Sequence, residues 1–85
     1  MKQTEIIKKI KKVANEVIPD VDVENIDENT NLRKDLGLDS LEGMSFIIGI
    51  EREFGVTISD LKIKDIQTVA DTIAIIEVCM QEMDL

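Results

Sequence analysis

The sequence predicts an all-α fold, an antiparallel four-helix bundle made of three main helices and a short third helix, with a long first loop. Apolar residues recur three or four positions apart, which is the helical repeat, from about Thr4 to Val17, from Leu41 to near Gly55, and from Thr68 onward. Strand signals are weak, because residues 56–58 are too short and too isolated to imply a sheet. We therefore expect a single domain over residues 1–85, with an aliphatic core because aromatic residues make up only 2% of the chain.

The first helix is expected to bury one apolar stripe and to carry its lysines on the other faces. Thr4 is its expected N-cap, and Pro19 ends it, because proline has no amide hydrogen to donate. The apolar stripe consists of Ile6, Ile10, Val13 and Val17, widened by Ile7 and Ala14.

The last third of the chain predicts a short helical turn within residues 59–65, with Leu61 or Ile63 facing inward, followed by the last helix. Thr68 and Asp71 resemble a capping box, in which each side chain accepts a hydrogen bond from the backbone N–H of the other residue. The stripe of the last helix, which is more typical of a core than of a cofactor site, consists of Val69, Ile73, Ile76, Met80 and Met83.

Residues 19–39 form a long connection that is rich in Asp, Asn and Glu and has no sustained period. A loop of this length in a small domain is normally functional or pinned to the core. Ile26, Leu32 and Leu36 are spaced to pin it.

Acidic residues alternate at Asp20, Asp22 and Glu24, as they do at the start of an EF-hand calcium loop. The sixth and twelfth positions of such a loop would be Asn25 and Asn31, where the motif requires Gly and Glu. We therefore expect a solvated acidic loop and no metal site.

Composition excludes several classes of function. Histidine is absent and Cys79 is the one cysteine, which excludes an intrachain disulfide, a catalytic Ser-His or Cys-His pair and a Cys/His zinc site. Cys79 lies among apolar residues of a predicted helix, so we expect it to be buried. There is also no glycine-rich phosphate loop, so we expect no catalytic residues and no enzyme activity. The chain has no apolar run long enough to span a membrane and no basic-then-apolar leader, so we expect a cytoplasmic protein.

The net charge of −8 is unevenly distributed. Residues 1–18 carry five lysines and two glutamates, a net +3, whereas residues 19–85 carry five basic and sixteen acidic residues, a net −11. The acidic surface expected for residues 19–85 would repel the phosphate backbone of a nucleic acid, and without Tyr or Trp few side chains could stack on bases. We therefore expect no nucleic-acid partner. An acidic surface instead suits basic protein partners and fast, salt-sensitive association.

The chain is organised around residues 35–42, Asp-Leu-Gly-Leu-Asp-Ser-Leu-Glu. Gly37 suits a turn because glycine takes positive φ at little steric cost, and Asp39 or Ser40 suits a helix N-terminus. The simplest role for Ser40 is an N-cap. A functional role is also open, because the unpaired N–H groups and the positive dipole end of a helix would stabilise a phosphate attached there.

The helix that follows has two apolar stripes, although a surface helix of a small domain usually needs one. The stripe expected in the core consists of Phe46, Ile47, Ile50 and Phe54. The second stripe, on roughly the opposite side, consists of Leu41, Met44 and Ile48. Because it begins one residue after Ser40, we expect this second stripe to meet a partner.

The stretch Asp35-Leu36-Gly37-Leu38-Asp39-Ser40-Leu41-Glu42 resembles the attachment motif of acyl carrier proteins, and the resemblance covers nearly the whole chain. It implies that Ser40 carries 4′-phosphopantetheine through a phosphodiester and that acyl groups are held as thioesters on the thiol of this arm. It also implies presentation of these groups to fatty-acid, polyketide or specialised acyl-transfer enzymes, and a monomeric carrier without catalysis of its own.

The resemblance implies partners as well: a phosphopantetheinyl transferase, and acyl-transferring and acyl-modifying enzymes with basic docking patches. Asp39 beside the cofactor, Glu42 and Glu51 would supply the acidic part of the contact. The apolar part would come from Leu41, Met44 and Ile48.

Several residues depart from the family pattern. Ser45 and Arg52 stand where the family commonly has acids, which fits a carrier with specialised partner enzymes at least as well as one of primary fatty-acid synthesis. Gly43 and Gly49 lie inside the helix at a cost of roughly 1 kcal/mol each relative to alanine. Gly43 is expected on the core side, where it allows either close packing or space for an acyl chain.

Two alternatives stay open. An aminoacyl or peptidyl carrier would share the fold and the arm, although Asp39 stands where peptidyl carriers often have histidine. An unmodified acidic helical interaction module would have neither the arm nor a cargo.

Overall fold

A computed structural model of the protein describes residues 2–83, without the side chain of Met83. The main helices are α1 (Gln3–Val17), α2 (Ser40–Phe54) and α4 (Val69–Met83), and a short helix α3 (Asp60–Ile63) lies between the last two. A single 3₁₀ turn, Val23–Asn25, interrupts the long loop between α1 and α2. The predicted all-α fold with three main helices and a short third helix is thus confirmed, and the Met83 side chain, predicted to extend the α4 stripe, lies outside the described residues.

The core forms where α1 packs against α2 and α4. The three helices contribute the predicted stripes, because each turns one aliphatic face to the same centre. Residues that are almost completely buried include Ile6, Ile10 and Val13 from α1, Phe46 and Ile50 from α2, and Val69, Ile73 and Ile76 from α4. Cys79 is buried too, as expected, and its thiol donates to the carbonyl of Thr57 at 3.6 Å.

The prediction of Thr4 as the N-cap of the first helix was wrong, whereas the predicted short turn with Leu61 or Ile63 facing inward was confirmed for Ile63. Helix α1 begins at Gln3, with Lys2 as an N-cap whose side chain makes no capping bond, so Thr4 lies inside the first turn. Helix α3 has four residues, and Leu61 points to solvent with 77% of its surface exposed, whereas Ile63 is half-buried. Ile63 is thus the apolar side chain by which this short helix packs against the core.

The long loop is held by its own short polar side chains, which explains its Asp- and Asn-rich composition. Asn31 Oδ1 accepts hydrogen bonds from the backbone N–H groups of Arg33 and Lys34, at 3.0 and 2.8 Å. The N–H of Asn31 in turn donates to the carboxylate of Asp35 at 2.7 Å. Such local bonds satisfy a backbone that is in neither helix nor sheet.

The loop is also pinned to the core, as predicted. Ile26 and Leu32 are buried, and Leu36 packs against the core cluster. An additional contact, which the sequence did not reveal, is an antiparallel bridge that pairs Asn31 with Thr68 at the start of α4. Its bonds from Leu32 N–H to Gln67 carbonyl and from Val69 N–H to Thr30 carbonyl join the loop to the last helix, at 2.9 and 3.0 Å.

Within residues 2–83, no helix combines the length and the apolar character that a membrane crossing requires. The same residues include no group of three or more His, Cys, Asp or Glu side chains placed to hold a metal ion.

Candidate functional site

Ser40 is the first residue of α2, and the cap of this helix is built by its neighbours. The carboxylate of Asp39 accepts a hydrogen bond from Glu42 N–H at 2.7 Å, and the carboxylate of Glu42 accepts one from Asp39 N–H at 3.3 Å. The N-cap is therefore Asp39, and the simplest role considered for Ser40, that of the cap, is wrong. The Ser40 side chain is exposed, and its hydroxyl is not needed to begin the helix.

The turn before Ser40 has the predicted conformation. Gly37 has a φ of 70°, a left-handed value that favours glycine, and the chain then buries Leu38 before it reaches Asp39. The N–H of Leu38 donates to the carbonyl of Leu32 at 3.2 Å. This anchor, two residues before Ser40, fixes the position at which α2 begins.

The two stripes of α2 face different environments, as predicted. In the core stripe Phe46, Ile47 and Ile50 are buried and Phe54 is half-buried. The second stripe, here called the exposed stripe, consists of Leu41, Met44 and Ile48, whose exposed fractions are 80%, 51% and 50%. Solvent-facing apolar side chains at three successive turns form a surface that a partner could cover.

Glu51, predicted as part of the acidic docking surface, is used within the chain. Its Oε2 accepts a hydrogen bond from the N–H of Ile58 at 2.8 Å, and the carboxylate is half-buried. Its backbone carbonyl also accepts from Val56 N–H at 3.1 Å. Sequence patterns could not reveal this role, because Ile58 lies past the end of α2 and the turn at Gly55, where the periodicity of the helix no longer predicts which residues meet.

A cavity of about 550 Å³ opens beside Ser40, between α2, the loop before it and the segment that joins α3 to α4. Its apolar lining includes Leu38, Phe46, Ile47, Ile63 and Ile66. Gly43, one turn after Ser40, also lines it, and a Cβ on Gly43 would meet no atom within 4 Å. Of the two roles considered for Gly43, the structure supports open space rather than close packing.

The comparisons with known proteins agree with this geometry. Residues 6–76 match the family described as "Phosphopantetheine attachment site". The acyl carrier protein of Lactobacillus acidophilus is 39% identical over 91% of this chain and 95% of its own, and that of Thermotoga maritima is 37% identical over 86% and 89%. The chain belongs to the acyl carrier protein family.

Solved structures of acyl carrier proteins have the same fold. The crystal structure of the Thermotoga maritima protein superposes with a TM-score of 0.82 at 31% identity, covering 95% of this chain and 93% of that one. The Enterococcus faecalis acyl carrier protein superposes with a TM-score of 0.74 at 29% identity, covering 93% and 99%. The similarity in fold therefore extends over nearly the whole chain.

This acyl carrier family member has basic residues in the last turn of α2 and in and just after α3. Arg52 is exposed in the last turn of α2. Lys62 of α3 forms a salt bridge with Glu82 of α4 at 3.2 Å, which ties the short helix to the last one. Lys64, just after α3, is exposed and lines the cavity beside Ser40.

Proposed function

We propose that Ser40 carries 4′-phosphopantetheine and that the chain holds acyl groups as thioesters on this arm and presents them to acyl-transferring and acyl-modifying enzymes. One observation carries the assignment. Ser40 is the first residue of α2 and its side chain is exposed, while Asp39 and Glu42 form the cap of this helix. The Ser40 hydroxyl can therefore be modified without disrupting the capping hydrogen bonds.

The helix end supports a phosphodiester at this position. When a transferase joins the arm, the Ser40 oxygen forms a new bond to phosphorus of coenzyme A, the nucleotide leaves, and the serine proton passes to a base. The product places an anion at the positive end of α2, where unpaired N–H groups and the helix dipole stabilise negative charge. Because the buried Leu38 anchors the backbone before Ser40, the arm has a defined origin.

The exposed stripe is the proposed docking surface. Leu41, Met44 and Ile48 would supply the apolar contact, and Asp39 and Glu42 would steer basic patches of the partner enzymes toward Ser40. Glu51 can contribute only part of its carboxylate to this surface, because its Oε2 accepts a hydrogen bond from the N–H of Ile58 and Oε1 alone is left to contact a partner. The phosphopantetheinyl transferase is the first partner expected to use this surface.

The cavity supports an acyl cargo. Its lining of Leu38, Phe46, Ile47 and Ile63 is aliphatic or aromatic, so a cargo that folds back into it would bury apolar surface. The open space at Gly43 connects this lining to the turn of α2 that carries Ser40. Asp39, which precedes Ser40 where peptidyl carriers often have histidine, favours the acyl carrier over the aminoacyl or peptidyl alternative.

We further propose that residues 1–85 act as one carrier domain that performs no catalysis itself. The monomeric state and the cytoplasmic location stay predictions from the sequence, and so does the specialised pathway suggested by Ser45 and Arg52.

The decisive experiment is modification by a phosphopantetheinyl transferase and coenzyme A, followed by mass spectrometry of the intact chain. The wild type should gain the mass of one phosphopantetheine, and Ser40→Ala should gain none. Ser45→Ala and Ser59→Ala are matched controls, because both change an exposed serine elsewhere, and they should be modified like the wild type. An unmodified wild type would favour the interaction module, and a modified Ser40→Ala would show that the site is misassigned.

A further inference from the structure

The cavity beside Ser40 combines an apolar interior with a basic edge. Three of its lining residues, Arg33, Lys34 and Lys64, are basic, and all three are exposed. We call these three residues the cationic rim. Arg33 and Lys34 lie in the loop before α2, and Lys64 follows α3, so the rim is drawn from two separate segments of the chain.

This concentration of positive charge runs against the composition of the chain. Residues 19–85 carry sixteen acidic and five basic residues, yet three of those five basic residues line this cavity. Asp39 is the acidic residue in the lining, and its carboxylate is engaged in the capping box. Among residues 2–83, no salt bridge pairs any rim residue with a carboxylate. The rim cations are therefore not tied to a carboxylate in a direct ion pair.

The backbone beneath the rim is held in place. The N–H groups of Arg33 and Lys34 both donate to Asn31 Oδ1, and Asn31 is itself bridged to Thr68 at the start of α4. A purely aliphatic cargo would need the apolar lining alone. Three cations grouped at the mouth, two of them on an anchored backbone, instead match an oxyanion, which Lys and Arg bind through charge-assisted hydrogen bonds.

We propose that Arg33, Lys34 and Lys64 bind an oxyanion of the loaded carrier at the mouth of the cavity and so hold the arm against the protein. The inference rests on the proposed function, because the arm on Ser40 is what brings the anion to a cavity that Ser40 itself lines. Two sources share this chemistry: the phosphodiester at Ser40, and the terminal carboxylate of a dicarboxylic acyl group. In either case the rim residues are positioning residues, and an arm held in this way is less accessible to a nucleophile in solution.

The test compares two triple variants that remove the same charge. The rim variant is Arg33→Gln/Lys34→Gln/Lys64→Gln. The control variant is Lys2→Gln/Lys8→Gln/Arg52→Gln, which changes three exposed cations outside the cavity. A transferase loads each chain from coenzyme A, butyryl-coenzyme A or succinyl-coenzyme A, and the last two give four-carbon cargoes without and with a second carboxylate. The melting temperature is measured before and after loading, and the two thioesters are cleaved with hydroxylamine.

Loading should raise the melting temperature of the wild type and the control variant, and the rim variant should lose roughly 4 °C of that increase, the shift expected for a weak ionic contact in a domain of this size. If the phosphodiester is the anion, the loss appears with all three loaded forms. If the cargo carboxylate is the anion, the loss is confined to the succinyl form, whose thioester is then cleaved several-fold faster in the rim variant than in the control.

The inference is overturned if the rim and control variants respond alike in all three loaded forms. Because the reference is each variant before loading, a general effect of charge on folding cancels. The mass of each product distinguishes failure of the proposed function from failure of this inference. A wild-type chain that gains no mass overturns the proposed function together with this inference. Loaded chains whose melting temperature and thioester cleavage do not depend on the rim overturn this inference alone.

Discussion

A Cβ placed on Gly49 would lie 2.7 Å from Cγ1 of Val13, a separation shorter than two carbon atoms tolerate. Val13 is buried on α1 and Gly49 faces it from α2, so the two helices approach each other through this contact. Val13 cannot turn away cheaply, because a β-branched side chain in a helix has one strongly preferred rotamer. The glycine is therefore a requirement of helix packing, although it costs helix propensity.

The two glycines of α2 should respond in opposite ways to alanine. Gly49→Ala should destabilise the fold by about 1–3 kcal/mol, the usual cost of overpacking, despite its better helix propensity. Gly43→Ala should stabilise it by up to about 1 kcal/mol, because its Cβ enters open space. Urea unfolding of the two variants beside the wild type measures both effects. Equal stability of the two variants would mean that α1 and α2 are not in close contact at Gly49.

The capping box should depend on Asp39 and not on Ser40. Asp39→Ala should cost about 0.5–2 kcal/mol, since it removes the acceptor for Glu42 N–H. Ser40→Ala should change stability by less than about 0.5 kcal/mol, as expected for an exposed side chain without a capping role. Thermal melting of the unmodified variants distinguishes them, and a larger loss for Ser40→Ala would contradict the cap described here.

The exposed stripe and the core stripe of α2 should separate binding from stability. Met44→Ala and Ile48→Ala should each change stability by less than about 0.5 kcal/mol, since neither truncation opens a buried cavity. They should instead slow modification by the transferase, because apolar residues at the centre of an interface carry much of the binding energy.

Ile50→Ala is the control for this pair, since Ile50 is completely buried and its truncation should cost about 2–5 kcal/mol. Thermal melts and transferase kinetics are to be measured on the same samples. If Met44→Ala and Ile48→Ala lose as much stability as Ile50→Ala, the exposed stripe belongs to the core and the docking surface lies elsewhere.

Two substitutions of Glu51 should separate its hydrogen bond from its charge. Glu51→Ala leaves Ile58 N–H without its acceptor and should cost about 1–3 kcal/mol. Glu51→Gln keeps an acceptor oxygen and should retain most of the stability. Any loss of transferase rate that Glu51→Gln shows at full stability then reports the charge that a partner meets. A rate equal to that of the wild type would remove Glu51 from the docking surface.

The start of α4 should weaken at acidic pH through Asp71. Hydrogen bonds from Gln67 N–H and Thr68 N–H, both at 3.0 Å, lower the pKa of this carboxyl below its usual value, with the bond from Gln67 the larger cause. A pKa that is lower in the folded state stabilises the fold above the unfolded-state value of about 3.9, and the effect is lost as pH falls through the folded-state pKa.

Asp71→Asn tests this dependence, because the amide cannot titrate. Urea unfolding should show the wild type more stable than Asp71→Asn at neutral pH, with the difference shrinking as the pH is lowered below about 4. A difference that stays constant with pH would show that the carboxylate charge does not contribute.

The sequence by itself determined the features that depend on local spacing. The apolar repeat placed the three main helices, Gly37 marked the turn, the Thr68 and Asp71 pair marked the start of α4, and the second stripe of α2 was expected on the surface. Each of these follows from residues a few positions apart, because helix periodicity, caps and turns are short-range effects. The attachment motif around Ser40 could be recognised for the same reason, since its residues are contiguous.

Only the tertiary structure decided how these elements meet. It showed that Gly49 and not Gly43 is the close contact, that Glu51 is bonded to Ile58, and that Arg33, Lys34 and Lys64 share a cavity with Ser40. It also assigned the cap to Asp39, where two adjacent capping residues had left the sequence ambiguous. Distances between helices and loops depend on how all the side chains of the core pack at once, and a one-dimensional pattern does not contain that information.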